Sequence, residues 1–180
     1  MRRFGRACGS WCAAVLMLAA GASSAEARQV RSGLFSDVTR AAWYNIQQLI
    51  VAAAERMPEE HYGFRPTKEV RTFGEIVGHI AQDHFAFCGA TTGRPAVPAI
   101  IGKLATKADL KKALQESVAE CDMAYGLLTD LNAGFRYLAF EGEYTRLSLL
   151  TTNVTHDSEH YGNLVTYLRL KGIVPPSTRP

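Results

Sequence analysis

Apolar residues recur at helical spacing through four stretches of the chain, and strand-like alternation is nearly absent. The first stretch runs from Leu34 to Arg56, with Leu34, Val38, Ala41, Ala42, Asn45, Leu49, Ala52 and Ala53 predicted along one face. Met57-Pro58 ends it, because the residue before a proline disfavours the α region. A polar connection through Pro66 and Lys68 leads to the second helix. That helix opens on a capping box, Thr72-Phe-Gly-Glu75, in which threonine is the N-cap and glutamate reaches back to it. Phe73, Ile76, Val77, Ile80, His84 and Phe87 mark its apolar face, and it is expected to stop near Gly89. Two prolines and two glycines between Thr91 and Gly102 predict a loop.

The third helix opens at Thr106-Lys-Ala-Asp109, a weaker box of the same kind. Its apolar face carries Leu110, Leu114, Val118, Cys121, Tyr125 and Leu128, and Asn132-Ala-Gly134 closes it. An aromatic loop from Phe135 to Tyr144 follows, in which Phe135 to Phe140 has the character of a short strand. The fourth helix takes Thr145 as N-cap and runs to Lys171. Gly172 suits the left-handed position beyond a helix end, and Pro175-Pro176 forbids continuation. Four such helices form an all-α four-helix bundle.

The N-terminus reads differently. Arg2, Arg3 and Arg6 precede a short apolar run, Ala13 to Ala20, and Ala25-Glu26-Ala27 follows as an A-x-A cleavage signal. This is the layout of a secretory signal peptide over residues 1–27. Cleavage after Ala25 is the main alternative to cleavage before Arg28. The apolar run is shorter than the roughly 20 residues of a membrane span. The remaining 153 residues, 28–180, suit one domain with one core, exported to the periplasm. Cleavage before Arg28 lowers the formal charge from +3 to +1, so the basicity belongs mostly to the export signal. No basic patch interleaved with aromatics remains, and nucleic acid is not an expected partner. No later apolar run is long enough to span a membrane, so none is expected after cleavage. Cys88 and Cys121 remain, on different predicted helices. Disulfides persist in exported proteins, which opens the option of a bridge beside that of two small buried thiols.

Candidate chemistry rests on the histidines. His156 and His160 lie four residues apart in the last helix, hence on one face one turn apart, where two imidazoles can share an ion. A zinc-type site wants three or four ligands. His79, in mid-helix among Ile76, Val77 and Ile80, is the third candidate, expected to point into the bundle. A lone buried histidine is more commonly a satisfied core residue, and many surface His pairs bind nothing. His84 and His61 compete for the role. His84 sits about 140° around the helix from His79 and does not easily face the same ion. His61 falls in the polar connection, where exposure is expected. Asp83 is one turn from His79 and suits a fourth ligand or an acceptor for an imidazole N–H. His156 to His160 matches H-x-x-E-H literally, with Glu159 in the acidic place. No acidic residue follows Glu159, so the downstream ligand of such a peptidase is missing. Asn153-Val-Thr155 fits a glycosylation sequon by chance, given its place in mid-helix.

Gly78-His79-Ile80-Ala81, the last helix from His156 to Pro176, and the connection Met57 to Pro66 together resemble the DinB-like family of damage-inducible proteins, over about Val38 to Pro176. The resemblance implies an up-up-down-down four-helix bundle and a divalent ion held by three histidines, which fall here on His79, His156 and His160. Zinc or nickel is the expected ion. The resemblance also implies a site similar to that of thiol transferases and mycothiol-dependent isomerases, in which the metal activates a thiol, and it implies a homodimer as an option. The expected function is metal-dependent transfer or hydrolysis on a small electrophilic substrate, with Asp83 or Glu159 as weak catalytic candidates. Tyr161 is expected to pack, and Arg169 either to hold an anion or to lie exposed at the helix end. The competing readings are a non-catalytic metal- or ligand-binding stress-response bundle of the cell envelope, and a structural bundle whose histidines bind nothing. The export signal departs from the mostly cytoplasmic relatives and puts cytoplasmic thiols in doubt as co-substrates.

Overall fold

The computed structural model describes residues 33–94 and 106–178, so the expected signal peptide and much of the second loop lie outside the described residues. Four helices make up the fold: α1 (Leu34–Arg56), α2 (Phe73–Thr92), α3 (Lys107–Gly126) and α4 (Arg146–Leu170). Helix α1 packs on α3 and α4, and so does α2, which places α1 and α2 on a diagonal of the bundle. Among the described residues, no helix is long and apolar enough to cross a membrane.

Local chemistry sets most helix starts. The Thr72 hydroxyl accepts from Glu75 N at 3.1 Å, and Thr72 N donates to Glu75 Oε2 at 2.6 Å, which completes the capping box. Thr106 and Thr145 accept from Asp109 N and Ser148 N, each at 3.1 Å. Helix α1 lacks a local cap. Instead Asp130, nearly a hundred residues away, accepts from the backbone N–H groups of Gly33, Phe35 and Ser36. A carboxylate there also meets the positive end of the helix dipole.

The inner face of α1 differs from the predicted one. Trp43, Ile46, Ile50, Ala53 and Ala54 are buried, whereas Leu34 and Val38 are 61% and 66% exposed. The Ala-rich helix offers two stripes of similar hydrophobicity, and Trp43 decides between them. Its ring stacks on Tyr125 with centroids 4.8 Å apart, and its indole N–H donates to Asp122 at 2.8 Å. The predicted faces of α2 and α3 are buried throughout, with Val118 only partly so.

Two helix ends also differ. Helix α2 runs on through Thr92, because the hydroxyls of Thr91 and Thr92 donate back to Cys88 O and Gly89 O, and Gly93 takes the left-handed exit at φ 80°. Helix α3 ends at Gly126, before Asn132. There the Asn132 amide donates to Leu127 O and accepts from Thr129 N, building turns rather than helix. The aromatic loop is a hairpin, β1 (Arg136–Ala139) paired antiparallel with β2 (Gly142–Thr145). Its two-residue turn, Phe140 and Glu141, has φ of 48° and 62°, the mirror-image geometry that matches strand twist. Gly172 exits α4 at φ 73°, in the left-handed region.

Cys88 and Cys121 form a disulfide that ties α2 to α3 across 33 residues of sequence. It is buried beside His84, whose backbone carbonyl lies 3.6 Å from Cys121 Sγ.

Candidate metal centre

Helices α2 and α4 bring His79, His156 and His160 together, with ligand atoms all within 4.8 Å of one another. His156 Nε2 lies 3.2 Å from His79 Nε2 and 3.0 Å from His160 Nε2. The three rings meet edge-to-face, with centroids 4.3 to 5.0 Å apart. The triad sits at the margin of the bundle, not in its core as expected of His79. His79 and His156 are partly exposed and only His160 is buried, so small molecules have access.

The donor set fits a divalent ion. Imidazole nitrogens at about 2.0–2.1 Å from one ion stand roughly 3 Å apart, which is the spacing seen here. Without an ion the same arrangement is frustrated. A ring nitrogen carries one proton or one lone pair, yet His156 Nε2 faces two other ring nitrogens and Asp83 Oδ2 at 3.0 Å. The Nδ1 atoms of His156 and His160 are buried with no hydrogen-bond partner among the described residues, so helix geometry and ring packing orient these rings.

Asp83 faces this cluster, with Oδ2 also 3.5 Å from His79 Nε2. Burial alone would raise its pKa, but the hydrogen bond from His156 and the nearby imidazoles His79 and His160 outweigh it and hold the carboxyl low. His79 is lowered by burial, against the opposing pull of Asp83. His160 is lowered furthest, to about 4, by burial first and then by His156 and His79. These lowered values favour the neutral form of His79 and His160, the form metal ligation requires.

The other candidates lie elsewhere. His84 is fully buried, with Nδ1 3.0 Å from Ser117 Oγ and Nε2 3.0 and 3.1 Å from the Asp157 carboxylate. Asn153 adds an amide N–H to Asp157 at 3.1 Å and another to the Tyr125 hydroxyl at 3.1 Å. Residue spacing does not signal this polar cluster, because His84 lies 33 residues from Ser117 and 73 from Asp157 along the chain. Because Asp157 follows His156, its bond to α2 fixes the rotation of α4 that presents His156 and His160. His61 is half-buried in a short 3-10 turn (Glu59–His61), outside the triad, and not exposed as expected. Glu159 is exposed on the wall of a cleft that reaches His160. Tyr161 packs, and its hydroxyl accepts from Ser177 N at 3.0 Å. Arg169 lies at the helix end and donates to Thr178 Oγ1 at 3.1 Å.

The fold is a four-helix bundle with three imidazoles converging from two of its helices, and sequence comparison gives its family. The profile of the DinB superfamily matches residues 42–164, and the chain belongs to that superfamily. The fold is similar to that of a DinB-like protein from Bacillus cereus ATCC 10987, at 14% identity and a TM-score of 0.64, covering 78% of this chain and 95% of that one. It is also similar to the DinB-like protein YjoA from Bacillus subtilis, at 22% identity and a TM-score of 0.60, covering 74% and 91%. No curated protein matches the chain.

Proposed function

We propose that the protein is a metal-dependent transferase or hydrolase acting on a small electrophilic substrate, with zinc or nickel held by His79, His156 and His160. The observation that carries this reading is the 3.0 and 3.2 Å separation of the Nε2 atoms, together with their partial access to solvent. A bound divalent ion supplies Lewis acidity, lowering the pKa of a water or thiol in its open positions. The protein's part is to hold the three imidazoles together in a fixed arrangement. Asp83, kept ionised beside them, is placed to take the proton that a nucleophile gives up.

Export to the periplasm belongs to the same proposal. It is supported by the N-terminal pattern and by the Cys88–Cys121 disulfide, a bond that persists in oxidising compartments.

The test is metal content of protein purified without a histidine tag, beside His156→Ala and His160→Ala. The expected result is near one divalent ion per chain, lost in both variants. Failure to take up zinc or nickel on loading, with melting temperature unchanged, would sink the proposal. A metal-dependent reaction between a model electrophile and a thiol or water then separates an enzyme from a passive binder.

A further inference from the structure

Two clefts flank the triad. One, of about 600 Å³, ends on His160. The other, of about 520 Å³, ends on His79. They share one strap of chain, from Arg65 to Arg71, and Arg71 lines both.

The strap is anchored at each end. Phe73 N donates to Phe64 O at 2.9 Å, and the Tyr167 hydroxyl donates to Arg71 O at 2.6 Å. The backbone of Arg71 is therefore held against α4, while its guanidinium has no hydrogen bond or ion pair among the described residues. Arg65 is in the same condition. Of the nearby acids, Glu75 accepts from Thr72 N in the capping box, and Glu69, which also lines the clefts, has the Lys68 ammonium 3.9 Å away to offset its charge. Glu159, on the wall of the first cleft, opposes an anion there, so the position for negative charge is on the strap. Pro66, Val70, Ile76 and Tyr167 give the cleft that Arg71 and His160 line its apolar walls.

We infer that this cleft binds a small organic carboxylate, its carboxylate on the fork of Arg71, its apolar body against Val70 and Ile76, and its far end toward His160. A planar guanidinium matches a carboxylate with two parallel hydrogen bonds. The inference rests on the metal reading only for what the far end of the ligand meets.

The experiment is calorimetric titration of the full chain, zinc-loaded and metal-free, with 3-phenylpropanoate, its neutral amide 3-phenylpropanamide, and phenyl phosphate. The carboxylate should bind about tenfold or more tighter than the amide, the scale of one charge-assisted pair. Arg71→Gln should abolish that preference while keeping the melting temperature and metal content of the wild type, since the side chain holds nothing in the fold. Equal binding of acid and amide, a preference that survives Arg71→Gln, no binding of the acid, or tighter binding of phenyl phosphate would each overturn the assignment. An Arg71-dependent preference in a protein that takes up no metal leaves this inference standing and removes the metal reading. Metal uptake without the preference does the reverse.

Discussion

The polar cluster under the triad makes the sharpest energetic prediction. Replacing Asp157 with alanine removes the acceptor for His84 Nε2 and for one N–H of Asn153, all at full burial. Each buried polar group left without a partner costs about 1–3 kcal/mol. Two N–H groups, of His84 and Asn153, lose their acceptor while Asn153 keeps the Tyr125 hydroxyl, so the loss should be about 3–4 kcal/mol. For a domain with a total stability of about 5–15 kcal/mol this is a large fraction, and it should lower the melting temperature by roughly 10 °C. The assay is urea unfolding of metal-stripped protein, followed by circular dichroism, which keeps metal binding out of the balance. Because the double variant His84→Phe, Asp157→Leu removes both partners of this bond and leaves only one Asn153 N–H without its acceptor, it should cost clearly less than the sum of its single changes, with a coupling of about 2 kcal/mol or more. A loss below about 1 kcal/mol in Asp157→Ala, or strict additivity in the double variant, would refute the claim that this pair holds α4 in place.

The remaining predictions concern other parts of the molecule. His160 titrates near 4 when folded and at an ordinary 6.5 when unfolded, so between those values the unfolded chain binds more protons and stability falls as pH drops. Metal-free wild type should therefore lose about 2 kcal/mol more than His160→Ala between neutral pH and about pH 4.5, after allowing for solvent screening at the site's open edge; equal losses would contradict the assigned burial effect. Reducing Cys88–Cys121 should cost about 3–4 kcal/mol from loop-closure entropy, read as a lower urea midpoint in reductant that is absent in a Cys88→Ala, Cys121→Ala variant. Glu141→Gly should stabilise the hairpin by a few tenths to about 1 kcal/mol, because glycine accepts positive φ without the cost paid by other residues; a destabilised protein would argue against that turn.

Features governed by neighbours in sequence were legible. The caps at Thr72, Thr106 and Thr145, the left-handed exit at Gly172, and the apolar faces of α2 and α3 depend on residues within two turns of one another. So did the pairing of His156 with His160, which helix geometry alone brings together. What failed depended on partners far along the chain. The face of α1 is settled by Tyr125 and Asp122 against Trp43, and its cap is Asp130. The second strand of the hairpin needs two non-glycine residues at positive φ, which residue preferences argue against.

The arrangement of the triad depends on both kinds of interaction. Spacing along α4 sets His156 against His160, but it cannot set α4 against α2, and without that the ring of His79 has no partner. The His84–Asp157 bond spans this seam, one residue from His156 on α4 and five from His79 on α2. Residues one apart on a helix point about 100° away from each other, so one helix turn offers His156 to the open margin and Asp157 to the sealed interior. The same consecutive pair thus serves two ends: Asp157 is fully buried and fixes the rotation of the helix, and His156 is partly exposed and available to a ligand. On this reasoning the conservative variant Asp157→Asn, which retains the shape and one acceptor, should keep the fold yet loosen the triad, seen as weaker metal uptake at nearly wild-type secondary structure. An Asp157→Asn protein with wild-type metal affinity would show that the rotation of α4 is set by apolar packing alone.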